Sequence, residues 1–400
     1  MSRITVVGLD GRPPVPEAEG LIRAAALVVG GERHLDMLEV EPGRAAVLKG
    51  DLSDAFSRIE GTDGSVVVLA SGDPGFFGIV RLLGERFGRQ SLRVLPAVSS
   101  VGLAFARAGL SRDDAITVTA HGRDPARAVN VCRANPKVAV LTSPDFGPGL
   151  LAGALEGLDR TFIVAERLGK PDERIFQGDA ETVAGMEWED PNVVLVLDEE
   201  RTPASKGWIS GHHASPGRWA LPEDAFEHRS GMITKSEIRA LVLARLGPGP
   251  GDLIWDVGAG SGSVAVECAR LGAAATAVER DPESCANVRE NAVRHGAYVQ
   301  VVEGEAPSAL HDLQEPDAVF VGGTGRNFEE IVKLAAVRAR RCVVLTLITL
   351  ERVVPAGDIL EDCGLEVETT LFQASRVKGV GHLHRLAAET PVFVVCGSKQ

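Results

Sequence analysis

One stretch of the sequence, residues 253–281, constrains the fold more than any other. It begins with a short apolar run, Leu253–Val257, which is typical of a buried strand. A turn with glycine at every second position follows, then a helix-like segment and a second apolar run that ends at Glu279. This order predicts one half of a nucleotide-binding α/β sheet, because glycines let a ligand approach the backbone closely and the helix N-terminus offers it free N–H groups. The glycines of the turn are Gly258, Gly260 and Gly262.

Three details of this stretch favour S-adenosylmethionine (SAM) as the ligand over a dinucleotide. Asp256 precedes the turn, at a position suited to hold the methionine ammonium directly or through water. The glycine spacing is GxGxG and differs from the GxGxxG of dinucleotide-binding folds. Glu305 and Ala306 follow the third apolar run, where an adenine contact would fall, and Glu279 is placed to accept hydrogen bonds from two ribose hydroxyls. A plain packing turn is the alternative explanation of the glycines.

Composition limits the classes of protein that this chain can belong to. Its 400 residues predict two or three domains, and an apolar content of 44% suffices for packed cores. A net charge of -13 argues against a broad surface for nucleic acid or an anionic membrane. No apolar stretch is long enough to span a bilayer, and a predicted strand stands where a signal peptide would begin. The six cysteines occur singly in apolar surroundings, which predicts reduced core residues in a cytoplasmic protein and no metal site.

Residues 1–200 alternate predicted strands and helices and are expected to form two α/β lobes. Loops that follow the predicted strands contain small residues, which would let a ligand approach the backbone. They predict a second SAM site, in a cleft between the lobes, although capping a helix is the alternative role of the two serines. The predicted contacts are Gly72, Asp73, Ser99, Ser100 and Thr142.

The composition changes at residues 201–230, where proline, glycine, serine and charged residues dominate and predict a linker. A second domain at residues 231–400 would follow. Thr234 and Glu237 have the spacing of a capping box ahead of an amphipathic run. Thr234 is in addition a candidate cofactor contact, and Lys235 is a candidate substrate contact.

Several segments of the first half resemble the tetrapyrrole methylases, SAM-dependent enzymes that methylate corrin and sirohaem precursors. The matching segments read VVGLDG, SGDPGFFG, LPAVSSVGLAFARAGL, TAHGRD and VAERLGKPDE. The resemblance implies the two-lobed tetrapyrrole methylase fold, and it is greatest to the branch that methylates carbon 5 of a precorrin. The first loop departs from the family, because Asp10 and Gly11 follow Gly8 and Leu9 where a glycine-rich turn is usual.

The second half resembles the small family of precorrin C15-methylating, decarboxylating enzymes. The matching segments read MITKSEIRALVLARL, WDVGAGSGSVAVECA, AVERDPE, EGEAPSAL, PDAVFVGGTG and ETPVFVVCG. The resemblance implies a Rossmann-like class I SAM-dependent methyltransferase fold. Together, the two halves resemble the fused, bifunctional precorrin-6B methyltransferases (decarboxylating) of aerobic cobalamin biosynthesis.

This resemblance implies one SAM site in each domain and a reduced tetrapyrrole substrate with many carboxylates. It assigns C5 methylation to residues 1–200, and C15 methylation with loss of the ring-C acetate carboxyl to residues 231–400, giving precorrin-8. It also implies a homo-oligomer, a dimer or a tetramer. Because the chain is acidic, the positive charge for the substrate must be local, and we predict it in a loop before the last strand; a solvated loop is the alternative. The residues are Arg376, Lys378, His382, His384 and Arg385.

Two other classes of protein share part of this pattern. Amino-directed DNA methylases carry an Asn-Pro-Pro-Tyr motif or a variant of it after the fourth strand, whereas this chain has Gly322, Gly323 and Thr324 there. No aromatic residue is available at that position to stack a flipped base. A SAM-binding protein without catalysis stays open at this point, and turnover of a tetrapyrrole would exclude it.

Overall fold

The structure is a computed structural model and describes residues 4–50, 52–201, 218–229 and 233–399. These residues divide into two compact units. The first unit holds the described residues of Met1–Gly122 and Ala139–Ser210, and the second holds those of Arg123–Val138 and Gly211–Gln400. Most of the predicted linker, residues 202–217 and 230, lies outside the described part.

Short runs of β-branched and apolar residues form the first sheet of the first unit. Its strands are β1 (Ile4–Leu9), β2 (Leu27–Gly30), β3 (Ala45–Val47), β4 (Val66–Ser71) and β5 (Leu92–Leu95). They follow the order β3-β2-β4-β1-β5, and each neighbouring pair is parallel. The carboxyl ends of all five strands therefore lie at one edge of the sheet. The helices around it are α1 (Pro16–Ala24), α2 (Glu32–Met37), α3 (Ser53–Glu60), α4 (Val80–Phe87) and α5 (Ser100–Ala108).

The second sheet is mixed and has the order β6-β7-β10-β8-β9. Its strands are β6 (Ile116–Thr119), β7 (Lys137–Leu141), β8 (Thr161–Glu166), β9 (Arg174–Gly178) and β10 (Asn192–Leu197). Strand β8 pairs antiparallel with both β9 and β10. Its buried side chains pack against α5 through Phe105. The remaining helices of the first unit are α7 (Pro148–Ala154) and α8 (Ala180–Ala184), whereas α6 (Pro125–Ala134) belongs to the second unit.

The second unit is built on a sheet of seven strands in the order β13-β12-β11-β14-β15-β19-β16. The first five are parallel, whereas β19 runs antiparallel to both of its neighbours. The strands are β11 (Leu253–Val257), β12 (Ala274–Glu279), β13 (Val299–Glu303), β14 (Ala318–Val321), β15 (Cys342–Leu347), β16 (Glu366–Phe372) and β19 (Val392–Ser398). The helices are α9 (Ser236–Leu246), α10 (Ser263–Arg270), α11 (Pro282–Arg294), α12 (Phe328–Arg338) and α13 (Leu350–Asp362).

This order places a topological switch point beside β11. Strand β12 lies on one side of β11 and strand β14 on the other, so the connections leave in opposite directions and open a crevice at the carboxyl ends. The central strands are buried on both faces, and Trp255 of β11 is fully buried. The prediction of an α/β fold is confirmed for both units.

Two local predictions of the second unit are wrong. Helix α9 begins at Ser236, with Lys235 at the N-cap position and no capping side chain, so Thr234 and Glu237 form no capping box. The Ser236 N–H donates instead to Glu223 Oε1 at 2.7 Å, and Glu223 lies in a segment outside the helix. The basic segment predicted as a loop forms a β-hairpin of β17 (Ser375–Val380) and β18 (Leu383–Ala388), and both strands are exposed on both faces.

A segment that precedes α9 crosses the second unit, and we call its described residues, 218–229 and 233–235, the strap. Buried Arg239 of α9 holds the strap by donating hydrogen bonds to the carbonyls of Thr234 and Leu221. Arg239 also lies 3.5 Å from Glu267 of α10, and both side chains are fully buried. The Glu267 carboxylate accepts in turn from the Leu221 N–H at 2.8 Å. One buried ion pair therefore joins α9, α10 and the strap.

The six cysteines are all free thiols. No helix among the described residues is both long and apolar enough to cross a bilayer.

Replacing Arg239 by Met should lower the free energy of unfolding by about 3–5 kcal/mol, because Glu267 keeps a buried charge while the strap carbonyls lose their donor. The double variant Arg239→Met/Glu267→Leu should recover part of this loss, since neither buried charge remains. Urea unfolding of both variants measures the effect. A single variant as stable as the parent chain would show that the pair does not hold the strap.

Candidate functional site

A cavity of about 720 Å³ opens at the carboxyl ends of β11, β12 and β14 in the second unit. The strand ends supply its floor and the strap supplies one side, through Arg229, Thr234 and Lys235. The structure therefore brings together most of the residues predicted to contact a cofactor in this half. Those that line the cavity are Thr234, Gly258, Gly260, Glu279, Glu305 and Ala306, and the candidate substrate contact Lys235 lines it as well.

The glycine-rich turn makes the floor of this cavity through a close backbone contact. Gly258 has a φ of 68°, and a Cβ at that position would lie 2.3 Å from the carbonyl oxygen of Gly323. The loops after β11 and β14 therefore touch backbone to backbone, which only glycine permits. Gly262 has a different role, because it does not line the cavity and its Cβ would lie 2.7 Å from Val288 of α11. Packing against a neighbouring element thus explains Gly262, whereas Gly258 both packs against Gly323 and lines the cavity.

Glu279, at the end of β12, joins two loops of the cavity. Its Oε2 atom accepts a hydrogen bond from the Gly260 N–H at 2.9 Å. Its Oε1 atom accepts from the N–H groups of Arg280 and Asp281 at 2.8 and 3.0 Å. These donors fix the carboxylate at the cavity wall, where its remaining lone pairs can accept further hydrogen bonds.

Asp256 lies behind the cavity and does not line it. It is 1% exposed, and its Oδ2 atom accepts from the Ala265 N–H at 2.9 Å. Its Oδ1 atom has no hydrogen-bond partner among the described residues. Burial raises the pKa of Asp256 to about 7, and the charge of Glu279 adds to this effect. The predicted contact of Asp256 with a ligand ammonium stays a prediction.

Several residues of the cavity were missed in the sequence. Asp281 and Ser284 lie at the start of α11, where Asp281 accepts from the Ser284 N–H at 3.0 Å. Their spacing is a helix-cap signal, and it follows a strand end, so it could have been found. Ile348 follows β15 and is 68% exposed, and no polar pattern marks it. The other missed residues include Arg229, Ser261, Arg280, Gly322, Gly323 and Thr324.

The first unit has a cavity of about 560 Å³ at the carboxyl ends of β1 and β5. Its walls include Asp10 and Arg12, the segment that departs from the family's usual glycine-rich turn. The loop after β4 borders these loops, because a Cβ on Gly8 would lie 2.3 Å from the Gly72 carbonyl oxygen. Gly72 also comes close to Ser99, because a Cβ on Gly72 would lie 3.3 Å from Ser99 Cα.

The residues predicted as cofactor contacts in this unit do not line that cavity. Asp73 accepts from the Gly75 N–H at 2.9 Å and shapes the loop after β4. Ser99 caps α5 by accepting from the Gly102 N–H at 3.0 Å, and Ser100 is the first residue of that helix. Thr142 donates to the Asn192 carbonyl at 2.9 Å in the second sheet. Capping, the alternative role of Ser99, is confirmed, and the cofactor contacts of this group stay predictions.

The cations of the β17–β18 hairpin are not equivalent. Arg376 donates to Glu237 at 2.7 Å and to Glu389 at 2.6 Å, so acidic side chains already bind it. Lys378 and Arg385 stand directly opposite each other across the strands. His384 pairs with Gly379 and therefore lies on the other face, and His382 lies in the turn.

Comparison with known proteins identifies the class of each half. Residues 15–184 match the family described as tetrapyrrole (corrin/porphyrin) methylases, and residues 224–399 match the precorrin methyltransferase domain. The chain thus joins two methyltransferase domains.

Two of the relatives cover about four fifths of this chain, and a third covers about half of it. A Sinorhizobium protein named precorrin-6Y C(5,15)-methyltransferase (decarboxylating) is 37% identical over 84% of this chain and 81% of its own length. A protein of the same name from Mycobacterium tuberculosis is 35% identical over 79% of each chain. A Pyrobaculum calidifontis protein, named as a probable cobalt-precorrin-6B C(15)-methyltransferase (decarboxylating), is 33% identical over 46% of this chain and 96% of its own length. The chain belongs to the family of the precorrin-6Y C(5,15)-methyltransferases (decarboxylating).

Replacing Gly258 by Ala should weaken SAM binding by at least tenfold, because the new methyl group would force the Gly323 loop away from the turn. Gly296→Ala is the matched control: Gly296 also has a positive φ, of 59°, but a Cβ there meets nothing within 4 Å. Calorimetric titration of both variants with SAM separates the contact from backbone strain. Equal affinities in the two variants would contradict the role given to Gly258.

The buried Asp256 should make stability depend on pH. Its native pKa of about 7 lies above the ordinary aspartate pKa of 3.8, so folding favours the protonated acid. The contribution of the protonated Asp256 to the free energy of unfolding is fully present below pH 3.8, and it is lost as the pH rises through 7. Asp256→Asn should therefore gain stability relative to the parent chain over this range, by up to roughly 1.4 kcal/mol per pH unit. Urea unfolding at several pH values tests this, and a constant difference would contradict it.

Proposed function

We propose that this chain transfers two methyl groups from SAM to carbons 5 and 15 of precorrin-6B, which is also called precorrin-6Y, and removes CO2 from its ring-C acetate. The product would be precorrin-8, in cobalamin biosynthesis. The observation that carries the proposal is the cavity of the second unit, where a close glycine turn and an acidic strand end meet in a chain of this family.

The residues of this cavity fit SAM. When bound, SAM supplies a methyl group already activated by its sulfonium. The Glu279 carboxylate would accept from the ribose hydroxyls, and Glu305 and Ala306 would contact the adenine. The open backbone of Gly258 and Gly260 would accommodate the methionine portion. The unpartnered Oδ1 atom of Asp256 would face the ammonium through water, since Asp256 itself does not line the cavity.

The chain's own contribution to methyl transfer would be alignment. The acceptor carbon of a reduced tetrapyrrole is enamine-like, so it needs orientation toward the donor and exclusion of water more than a strong base. Lys235 lines the cavity at the start of α9, and Thr234 is held there by Arg239. We assign these strap residues to the wall that separates the cofactor from solvent.

A second SAM site in the first unit would complete the pair of methyl transfers. Its support is the meeting of the loops after β1, β4 and β5 at one sheet edge, beside the cavity of about 560 Å³. We assign C5 methylation to this unit. We assign C15 methylation and decarboxylation to the second unit, because relatives of about half this length carry the C(15) name.

The β17–β18 hairpin would bind carboxylates of the substrate through Lys378 and Arg385. Both are exposed, and neither forms an ion pair with a described acidic residue. Arg376 would instead anchor the hairpin to α9 through Glu237, close to Lys235 of the cavity. His382 and His384 would contribute hydrogen bonds. As the resemblance implied, we also propose that the chain forms a homo-oligomer.

The test of the proposal is incubation of the full chain with reduced precorrin-6 and isotope-labelled SAM, followed by mass analysis. The product should carry two labelled methyl groups and lack one CO2. An unmodified tetrapyrrole, in a reaction with correctly folded protein, would overturn the proposal.

Glu279→Ala should weaken SAM binding at the second unit by about 2 kcal/mol, roughly 30-fold, because it removes a charged acceptor of two hydrogen bonds. Glu290→Ala is the control, since Glu290 is an exposed acid of α11 whose partner is Arg294. Calorimetric titration with SAM measures both variants. If they bind SAM equally well, Glu279 does not hold the ribose.

The intact chain should bind two SAM molecules at saturation, one in each unit. Equilibrium dialysis with labelled SAM gives the stoichiometry directly. In the Glu279→Ala variant one of the two should bind more weakly while the other keeps its affinity. A limit of one SAM per chain would argue that the first unit has no cofactor site.

A further inference from the structure

A cluster of three polar side chains joins β2 and β4 at the carboxyl edge of the first sheet. It consists of Arg33 and His34, which follow β2, and Ser71, the last residue of β4. Arg33 Nη2 lies 3.2 Å from Ser71 Oγ and 3.3 Å from His34 Nε2. Ser71 Oγ is 3.3 Å from the same His34 nitrogen. The three groups therefore converge on one point, although none of them was singled out by the sequence pattern.

His34 orients the cluster and adds no charge to it. The side chain is 9% exposed, and burial together with the neighbouring Arg33 lowers the pKa of His34 to about 4. At neutral pH the ring is therefore uncharged, and its Nε2 atom accepts from Arg33. The Ser71 hydroxyl oxygen accepts from Arg33 as well.

The charge of Arg33 is not balanced by any carboxylate among the described residues. Its partners in the cluster are both neutral, whereas Arg12 and Arg23 of the same unit pair with acids. Arg33 is exposed and uses one nitrogen, Nη2, for both contacts, so Nε and Nη1 have no hydrogen-bond partner among the described residues and can donate to a ligand. A fixed, unneutralised guanidinium in a chain of net charge -13 matches a carboxylate ligand.

The surroundings of the cluster suit a large, flat ligand. Ser71 begins the loop after β4, and the same loop exposes Phe76 and Phe77, which are 38% and 60% accessible. Their rings lie edge to face, 5.0 Å apart, and Phe77 has a φ of 52°, unusual for an aromatic residue. The loop also borders the cavity at β1 and β5 through Gly72 and Gly8. Charge and exposed aromatic surface thus occur together at the edge where ligands of parallel sheets bind.

We infer that Arg33, oriented by His34 and Ser71, binds a carboxylate side chain of the tetrapyrrole in the first unit. This inference rests on the proposed function, and it names a substrate contact for the C5 methylation. Arg33 would touch the substrate, whereas His34 and Ser71 are positioning residues.

The test compares Arg33→Gln with Arg23→Gln in the full chain. Arg23 is an exposed arginine of α1 that pairs with Glu19, so its variant makes the same change of charge away from the cluster. Arg33→Gln should raise the KM for the tetrapyrrole in C5 methylation by about 10- to 100-fold, the range for a lost charged hydrogen bond. Arg33→Lys keeps the positive charge, so its KM should lie between those of the parent chain and Arg33→Gln. SAM affinity, C15 methylation and decarboxylation should not change.

Three results would overturn the inference. They are an unchanged KM in Arg33→Gln, an equal effect on both methylations, and a loss of SAM affinity, which would assign the cluster to the cofactor. Equilibrium binding of the tetrapyrrole, followed by its visible absorption, requires no turnover. If the parent chain binds the tetrapyrrole without methylating it, the proposed function fails. In that case, weaker binding of the tetrapyrrole by Arg33→Gln than by Arg23→Gln would still support a carboxylate site at Arg33.

Discussion

The backbone contact between Gly258 and Gly323 is the constraint on which the second unit depends. It brings the loops after β11 and β14 together at the switch point of the sheet and gives the cavity its floor. A side chain on Gly258 would occupy the same space as a carbonyl oxygen, so this geometry excludes every other residue. Glu279 then fixes the third loop by accepting from the Gly260 N–H. The loops after three neighbouring strands are thereby held together at the cavity.

The strap depends on a second constraint, the buried pair of Arg239 and Glu267. Both side chains would be costly to bury alone, and together they satisfy backbone groups of the strap at Leu221 and Thr234. Asn291 adds to this by bonding Glu227 of the strap and Ser261 of the cavity. The composition of this segment predicts a linker whose apolar end packs onto the second domain, and its described residues do pack within the second unit and form one wall of the cavity. Polar segments can be ordered when a buried charge pair binds their backbone.

The sequence predicted the alternation of strands and helices, the glycine-rich turn and the place of Glu279 at a strand end, because each is encoded by neighbouring residues. It could not distinguish Gly258 from Gly262, since both need a positive φ and only the structure shows which residues they touch. The capping box at Thr234 is absent because the helix begins at Ser236, with Lys235 at its N-cap, and the Glu237 carboxylate binds Arg376. The hairpin at residues 375–388 was taken for a loop because it is exposed on both faces and so lacks the alternation that marks a half-buried strand. Arg33 was missed because its partner Ser71 is 38 positions away.

The central claim is that the second unit binds SAM on the Gly258 turn with the ribose at Glu279. A crystal structure of the full chain with S-adenosylhomocysteine tests it most directly. We predict both ribose hydroxyls within hydrogen-bond distance of the Glu279 carboxylate, and the ligand backbone above Gly258 and Gly260. A ligand bound elsewhere, with Glu279 still bonded only to the backbone N–H groups of its own loops, would contradict the account.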